Sequence, residues 1–223
     1  MSEALDGVTW YRQLSVCIHR RDLTVYVDPN GIPDDAAAAD FVLLTHPHYD
    51  VFSEADIERV RTPNTVVIAP TSMKKLFSEA DHFVRPGDFL QLGSLDLLAV
   101  PAYTPDSRFH PPEAGWLGYL FTVDGITYYH AGDTGLIPAM EGLSCDVAFL
   151  PCDGHYSMGP EEAAEAGKAC GASLIVPIHW GDARGRREDA ERLGALFDGD
   201  VVILERAADA QPPPDQDTEE LES

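Results

Sequence analysis

Residues 45–53 carry three side chains that can bind a metal ion, at alternating positions of the chain. The segment reads Thr-His-Pro-His-Tyr-Asp-Val-Phe-Ser, so His46, His48 and Asp50 share one short loop. Imidazole and carboxylate groups are common ligands of zinc, manganese and iron in proteins. The loop follows the apolar run Phe-Val-Leu-Leu and precedes a helix that Ser53 is placed to cap. This pattern favours a metal site over a loop that is merely polar and solvated.

Further candidates also follow apolar runs. Asp133 comes shortly after the run Ile-Thr-Tyr-Tyr, and the small residues Ala131 and Gly132 let the backbone pass close to a metal there. His179 directly follows the run Leu-Ile-Val-Pro-Ile, and His155 follows another strand end, where it can line the same pocket. Each of the first two has an alternative interpretation. The aspartate can cap the segment after it, and the histidine can be a structural side chain at a strand end.

The elements that would position these residues are short strands alternating with helices. The strand-like runs are β-branched or aromatic and are bounded by Gly, Pro or Asp. Strands are predicted at residues 23–27, 41–44, 65–69, 95–101, 119–123, 126–129, 147–150, 174–178 and 201–204. Helices are predicted to begin near Ser53, Pro70 and Pro160, and another to cover residues 187–197. Because adjacent strands come first in each half and helices follow, the pattern favours an α/β fold with four layers, an αββα sandwich.

The composition indicates one domain with a strongly acidic surface. The chain has 223 residues, enough for a sizeable core, and we assign the domain to residues 1–207. Its 38 acidic and 15 basic residues give a formal net charge of −23, which disfavours nucleic acid and anionic lipid as partners. Three of the bases are lysines. This composition is typical of proteins from salt-accumulating organisms and equally compatible with an ordinary acidic protein.

Neither a membrane span nor a redox motif is visible in the sequence. The apolar runs are strand-sized, too short for a membrane span or for the core of a signal peptide, so we expect a cytoplasmic protein. The four cysteines are dispersed along the chain and are predicted to be small buried hydrophobic residues.

The composition changes from Ala208 onward. Residues 208–223 hold six acids, no base and three consecutive prolines. Such a segment cannot bury enough apolar surface to offset the entropy of ordering it, so a disordered acidic tail is predicted.

Taken together, the motifs resemble those of the metallo-β-lactamase superfamily, whose second motif reads His-x-His-x-Asp-His. Within that superfamily the chain resembles the branch of ascorbate 6-phosphate lactonases and related metal-dependent hydrolases. The resemblance covers about residues 10–181 and implies the metallo-β-lactamase fold. Besides the loop at 45–50, it rests on these stretches in order: VDP at 27–29, AVPAY at 99–103, FHP with GW-GY at 109–119, YHAGDTG at 129–135, LPCDGHYSMGPEEAAEA at 150–166 and VPIHWG at 176–181.

The resemblance implies two neighbouring metal positions. His46 and His48 would hold the first metal, and Asp50 together with the histidine that follows it would hold the second. Position 51 of this chain is Val51, which has no donor atom. One metal ion is therefore expected to bind tightly, and a second to bind weakly or not at all.

Three residues further along the chain complete the implied sites. The third histidine of the first site usually follows the strand that here ends in AVPAY, but Tyr103 and Thr104 occupy that place. His110 is the only histidine in this segment, and similar family members carry Phe-His-Pro here, so His110 is expected as the third ligand. A surface histidine is the alternative. Asp133 corresponds to the carboxylate that bridges the two metals, and His179 to a ligand of the second metal.

The implied activity is metal-dependent hydrolysis of a small molecule. A zinc or manganese ion would activate a water molecule for attack on an ester, lactone or phosphodiester, with Asp50 or Asp133 orienting that water. The alternative is a descendant of the fold that binds metal or ligand with little or no turnover. Val51 favours this alternative, whereas retention of the other ligands favours an enzyme. The sequence contains no nucleophile elbow, phosphate-binding glycine loop or dinucleotide fingerprint that would indicate another enzyme class.

Overall fold

Two β-sheets and three α-helices make up the part of the chain that the computed structural model describes, which is residues 3–105, 107–182, 185–207 and 210. The first sheet contains β1 (Val8–Arg12), β2 (Ser15–Arg20), β3 (Leu23–Val27), β4 (Phe41–Leu43), β5 (Val66–Pro70) and β6 (His82–Val84). The second contains β7 (Phe89–Gln91), β8 (Asp96–Ala102), β9 (Trp116–Val123), β10 (Ile126–His130), β11 (Val147–Pro151), β12 (Leu174–Ile178) and β13 (Asp200–Val201). The helices are α1 (Glu54–Val60), α2 (Pro160–Ala169) and α3 (Arg187–Leu196). None of these helices is long and apolar enough to cross a membrane.

Each sheet is partly antiparallel and partly parallel. The first sheet has the order β1-β2-β3-β4-β5-β6, with two antiparallel pairings followed by three parallel ones. The second has the order β13-β12-β11-β10-β9-β8-β7 and is antiparallel from β7 to β10 and parallel from β10 to β13. The strands β8, β10, β11 and β12 therefore run in the same direction, and the loops that follow them leave the sheet at one edge.

The inner faces of the two sheets form the main core. Val16 and Val27 of the first sheet and Phe121 and Phe149 of the second belong to one cluster of buried side chains. Burial of side chains of this size contributes roughly 1.5–3 kcal/mol each. A second cluster lies between the outer face of the first sheet and α1, which contributes Ile57, while α2 contacts β11 and α3 contacts β12. The order of layers is helix, sheet, sheet and helix, so the predicted αββα sandwich is confirmed.

Most predicted strands are present with small shifts of their ends. The strand predicted at 201–204 is wrong in extent, since its ladder is limited to Asp200–Val201. The helix predicted near Pro70 is also wrong: residues Thr71–Lys75 form a short 3₁₀-helix. A 3₁₀-helix is typically this short, and the chain then passes through residues 76–81 to β6, which begins at His82. The strands β1, β2, β6 and β7 have no counterpart among the predicted ones.

The chain after β13 continues along the domain. Residues 202–204 pack against the main core, and the Ala207 N–H donates a hydrogen bond to the Trp10 carbonyl at 3.0 Å. The segment 208–223, for which the tail is predicted, lies outside the described residues apart from Ala210. The four cysteines are buried and unpaired, as predicted.

Candidate metal centre

The structure brings the predicted ligands to one place, and these are His46, His48, Asp50, His110, Asp133 and His179. One donor atom each from His46, His48, His110 and Asp133 lies within 4.8 Å of the others. The Oδ2 atom of Asp133 lies 3.6 Å from His46 Nε2, 3.5 Å from His110 Nε2 and 3.4 Å from His179 Nε2. Three imidazole nitrogens therefore surround one carboxylate oxygen, although the residues come from different loops.

Asp50 and His179 form a second group that shares Asp133 with the first. The Oδ2 atom of Asp50 lies 3.9 Å from His179 Nε2. Val51 is buried in the main core cluster and does not line the cavity above the two groups. Asp50, Asp133 and His179 thus lie where three donors for a second metal are predicted, and their role as its ligands stays a prediction.

Buried donor atoms without partners test whether the residues fit a metal ion. The Nε2 atoms of His46, His110 and His179, and Oδ1 of Asp133, are buried and lack a hydrogen-bond partner within the described part of the chain. An unsatisfied buried polar group costs about 1–3 kcal/mol. A cation held by these atoms would remove that cost, and a set of imidazoles with one carboxylate is suited to zinc or manganese. The residues fit a metal ion, and this cluster is a candidate metal site.

His46 is oriented by a chain of hydrogen bonds from Asp28. The Thr45 hydroxyl donates to Asp28 Oδ2 at 2.6 Å and lies 2.9 Å from His46 Nδ1. A hydroxyl that donates to Asp28 can accept from His46 Nδ1–H, which leaves Nε2 with its lone pair towards the cluster. Burial raises the pKa of Asp28 to about 8, against the two hydrogen bonds from Thr45. A cation on His46 favours the ionised carboxylate and therefore this arrangement of protons.

A second carboxylate, that of Asp153, lies behind His179. Its Nδ1 atom lies 3.6 Å from Asp153 Oδ1, and Ser157 donates a hydrogen bond to the same carboxylate oxygen. The backbone of His179 has a φ of 58°, in the left-handed region that side chains other than glycine rarely adopt. Residues held in such conformations cluster at functional sites. Both features aim Nε2 at Asp133 and Asp50.

The charges of the site are those of an anion surrounded by imidazoles. Burial raises the pKa of Asp133, but the imidazoles of His179, His110 and His46 outweigh it and hold that pKa well below its ordinary value. Burial lowers the pKa of His46 and of His48. Burial also lowers the pKa of His179, yet the nearby carboxylates, Asp133 first, raise it to about 10. A metal ion held by His179 Nε2 would take the place of that proton.

The loop after β8 brings His110 to the cluster. The Thr104 N–H donates to the His110 carbonyl at 2.9 Å and closes the loop. The rings of His46, His48 and His110 lie with their centroids 5.1, 4.7 and 5.3 Å from the ring of Trp116, which supports all three. His110 thus lies beside the other two histidines, and its role as a metal ligand stays a prediction.

Two other histidines near the site have different surroundings. His130 is buried with both ring nitrogens in use: Nε2 lies 2.9 Å from the Leu14 carbonyl, and Nδ1 accepts from the Gly132 N–H at 3.2 Å. His130 therefore holds the loop before Asp133 and is not free to bind a metal. His155, which the sequence suggests as a pocket residue, is exposed and does not line the cavity. The neighbouring Tyr156 lines it instead.

Gln13, which the sequence did not single out, contacts both Asp50 and His179. Its side-chain Nε2 donates to Asp50 Oδ2 at 3.2 Å, and its carbonyl accepts from the His179 N–H at 3.0 Å. Gln13 is buried and has a φ of 42°. Asn30 adds support, because its Nδ2 atom donates to the carbonyls of Asp50 and Val51 at 3.3 and 3.2 Å.

We expect the substitution Gln13→Leu to weaken binding at the second position and to spare the first. Leucine keeps the bulk but loses the hydrogen bond to Asp50, and loss of a partner behind a metal ligand typically costs about 10–100-fold in affinity. A competition titration with a chelator that resolves the first and second equivalents of zinc measures both constants. Equal weakening of both equivalents, or of neither, would contradict the assignment of Gln13 to the second position.

Known protein families contain sequences similar to this chain. The family model of the β-lactamase superfamily domain matches residues 7–179. The chain belongs to the metallo-β-lactamase superfamily. A UPF0173 metal-dependent hydrolase of Geobacillus sp. (strain WCH70) is 31% identical over 214 residues, covering 85% of this chain and 92% of the relative.

Solved structures support the same membership. A structure described as that of a metal-dependent hydrolase from Parabacteroides distasonis ATCC 8503 has a TM-score of 0.80 and 30% identity, covering 90% of this chain and 93% of that one. Igni18, a metallo hydrolase from Ignicoccus hospitalis, has a TM-score of 0.71 at 21% identity, with 90% and 95% covered, and it supports the fold alone. Within the metallo-β-lactamase superfamily, the branch of ascorbate 6-phosphate lactonases stays a prediction.

Proposed function

We propose that the protein is a metal-dependent hydrolase that cleaves an ester, lactone or phosphodiester bond of a small molecule. The relatives from Geobacillus and Parabacteroides are named metal-dependent hydrolases, which supports the reaction type. The net charge of −23 disfavours a nucleic acid or an anionic membrane as the partner. These charges are compatible with a cytoplasmic protein that acts on a small molecule.

The convergence of partnerless donor atoms on Asp133 is the observation that carries this proposal. Three buried imidazole nitrogens lie within 3.6 Å of one carboxylate oxygen. A purely structural cluster would be expected to pair these atoms with hydrogen-bond partners, since buried polar groups nearly always have them. A cavity of about 120 Å³ opens above the cluster and gives a small molecule access to it.

The roles of the side chains follow from their positions. A bound zinc or manganese ion supplies Lewis acidity, which lowers the pKa of a water molecule and polarises the oxygen that becomes negatively charged. His46, His48 and His110 would hold the first ion, and Asp50 and His179 would contribute to the second position. Asp50 and Asp133 both line the cavity, where each can accept a hydrogen bond from water and orient it towards the substrate.

A metal- or ligand-binding protein without turnover is the second candidate. It is favoured by Val51, because a valine at this position removes one donor from the second metal position. The supports behind the ligands, Asp28, Asp153 and Gln13, favour an enzyme. Such positioning is costly to maintain and is what catalysis with a fixed metal requires.

The two candidates differ in what the purified full chain does with metal. We expect at least one equivalent of zinc or manganese by elemental analysis, and hydrolysis of one or more of a simple ester, a lactone and a phosphodiester. Activity should disappear in chelator-treated protein and return when the ion is added back. Bound metal without hydrolysis of any of the three classes would favour the binding protein, and absence of bound metal after loading would contradict the hydrolase and a metal-binding role alike.

A further inference from the structure

The rim of the cavity above the metal centre is aromatic. Besides the candidate ligands, the cavity is lined by Tyr49, Phe109 and Tyr156. Tyr49 is 56% exposed and Phe109 is 41% exposed, which makes them two of the few large hydrophobic side chains exposed in the described part of the chain. Apolar surface left exposed at a cavity commonly marks the place where a ligand packs.

These rings are fixed relative to the candidate ligands. Tyr49 lies between His48 and Asp50 in the chain, and Phe109 directly precedes His110. The ring of Phe109 packs edge-on against Tyr156, with centroids 5.0 Å apart. The loop of Tyr156 is tied down at both sides, since its N–H donates to Asp153 and its carbonyl accepts from Thr104 at 2.7 Å. A group that contacts the rings is therefore held at a defined distance from the metal centre.

The charges at the cavity favour a neutral substrate. Among the described residues, none that lines the cavity is a lysine or an arginine. Arg108 is near the rim, and its guanidinium lies 4.7 Å from the centre of the Phe109 ring, where it extends the flat surface. A phosphodiester or a phosphorylated lactone would bring a negative charge into an acidic protein whose described cavity lining offers no lysine or arginine to pair with it, so that charge would have to be paired at the metal centre itself.

The size of the cavity is that of one small flat group. Its volume is about 120 Å³. For comparison, a cavity of about 150 Å³ in another protein holds a benzene molecule. By this comparison the cavity holds at most about one small flat group, so the rest of the substrate would extend past the rim.

We propose that the substrate is a neutral carboxylic ester or lactone that carries an aromatic or similarly flat apolar group beside the scissile carbonyl. This proposal rests on the hydrolase function proposed above. The water oxygen bonds to the carbonyl carbon, the bond from that carbon to the ester oxygen breaks, and a proton from the water passes to the leaving oxygen. The products are an alcohol and a carboxylic acid, so no further reactant is needed. The flat group packs against Tyr49, Phe109 and Tyr156.

Matched esters test the proposal on the zinc-loaded full chain. Methyl phenylacetate and methyl propanoate are neutral and have unactivated methyl leaving groups, and only the first carries a ring. We expect kcat/KM to be at least about tenfold higher for methyl phenylacetate, mostly through KM, because aromatic packing contributes on this scale. Bis(4-nitrophenyl) phosphate carries rings and a negative charge, and it should be the poorer substrate despite its better leaving group.

Variants of the rim locate the effect. Phe109→Ala should reduce the preference for the aromatic ester by about tenfold, and Phe109→Leu, which keeps an apolar side chain beside His110, should reduce it in part. Phe89 is the control, since it is 58% exposed on β7 and does not line the cavity. Phe89→Ala should keep the preference of the natural protein. Equal kcat/KM for the two esters, or a preference that survives Phe109→Ala with its zinc content intact, would overturn the proposal.

Binding separates this inference from the proposed function. If no ester, lactone or phosphodiester is hydrolysed, the hydrolase function fails, and calorimetric binding of methyl phenylacetate to the same protein still decides whether the rim holds a flat apolar group. Binding that is lost in Phe109→Ala and kept in Phe89→Ala supports the aromatic site. Absence of binding to the natural protein would overturn it.

Discussion

The substitution Asp133→Asn is expected to remove both metal binding and hydrolysis. The Asp133 carboxylate lies within 3.6 Å of the Nε2 atoms of three imidazoles, and in the proposed site its charge would be shared by both metal positions. Asparagine has nearly the same shape and no charge, so the fold should persist while the ions lose their common anionic ligand. Loss of one preorganised electrostatic contact at a reacting centre commonly costs about 10²–10³-fold in rate. We expect at least that loss in kcat/KM, together with less bound metal by elemental analysis.

Asp153→Asn is the matched control for this experiment. Asp153 is also buried and also close to His179, but it contacts Nδ1 on the side away from Asp133. A carboxylate that only orients a ligand typically contributes about 10–100-fold to metal affinity. Asp153→Asn should therefore bind zinc more weakly than the natural protein and more tightly than Asp133→Asn. If the two variants lose metal and activity equally, Asp133 is a support for the site and not a shared ligand.

Five of the six candidate ligands can be predicted from the sequence because each lies on a loop shortly after a strand, whereas His110 is expected only from the resemblance to the superfamily. His46, His48 and Asp50 share a single loop, so their spacing alone places them together. Asp133 and His179 follow β10 and β12, and strands of the same direction release their loops at the same edge. Sequence order therefore carried most of the information about which side chains meet.

The supports behind the ligands were not visible in the same way. Asp28 follows β3 at a φ of 45°, and Gln13 lies in the tight turn between β1 and β2. That turn contains no glycine, proline or Asn-Gly pair, so no turn signal separates β1 from β2 in the sequence. A single glutamine that bonds to Asp50 across the fold has no periodicity to reveal it. Such contacts depend on tertiary packing and have to be read from the structure.

The short strands were missed for a different reason. The strands β6 and β7 are three residues each, too short for an alternating pattern to stand out. β7 is also mostly exposed, so it carries little of the apolar signal that identifies strands. By contrast, β11 and β12 are buried along their whole length and were found almost to the residue. A strand that is buried on both faces has a continuous apolar run, so its position can be predicted from the sequence.

Val51→His is the substitution expected to change metal stoichiometry most. Valine removes one donor from the second position and touches no donor of the first, so the natural protein should keep about one tightly bound ion. Histidine completes the superfamily pattern, and bound zinc should rise from about one to about two per chain. Asn30 donates to the backbone carbonyls of Asp50 and Val51, so the substitution leaves these two hydrogen bonds in place. Hydrolysis should increase if turnover uses both ions.

Stability gives this experiment a readout that is independent of activity. Val51 is 1% exposed in the apolar core, so an imidazole there without a partner should lower the free energy of unfolding by about 1–3 kcal/mol. A bound ion offsets that loss, and a ligand at 100 times its Kd stabilises the folded state by about 2.7 kcal/mol. Zinc should therefore raise the Tm of Val51→His more than that of the natural protein. The control is Val51→Leu, which is similar in bulk but has no nitrogen. This variant should bind no more zinc than the natural protein and show no larger rise in Tm. If the natural protein keeps two ions after dialysis against a mild chelator, the proposed effect of Val51 is wrong, because the second position would then already be complete without a donor from residue 51.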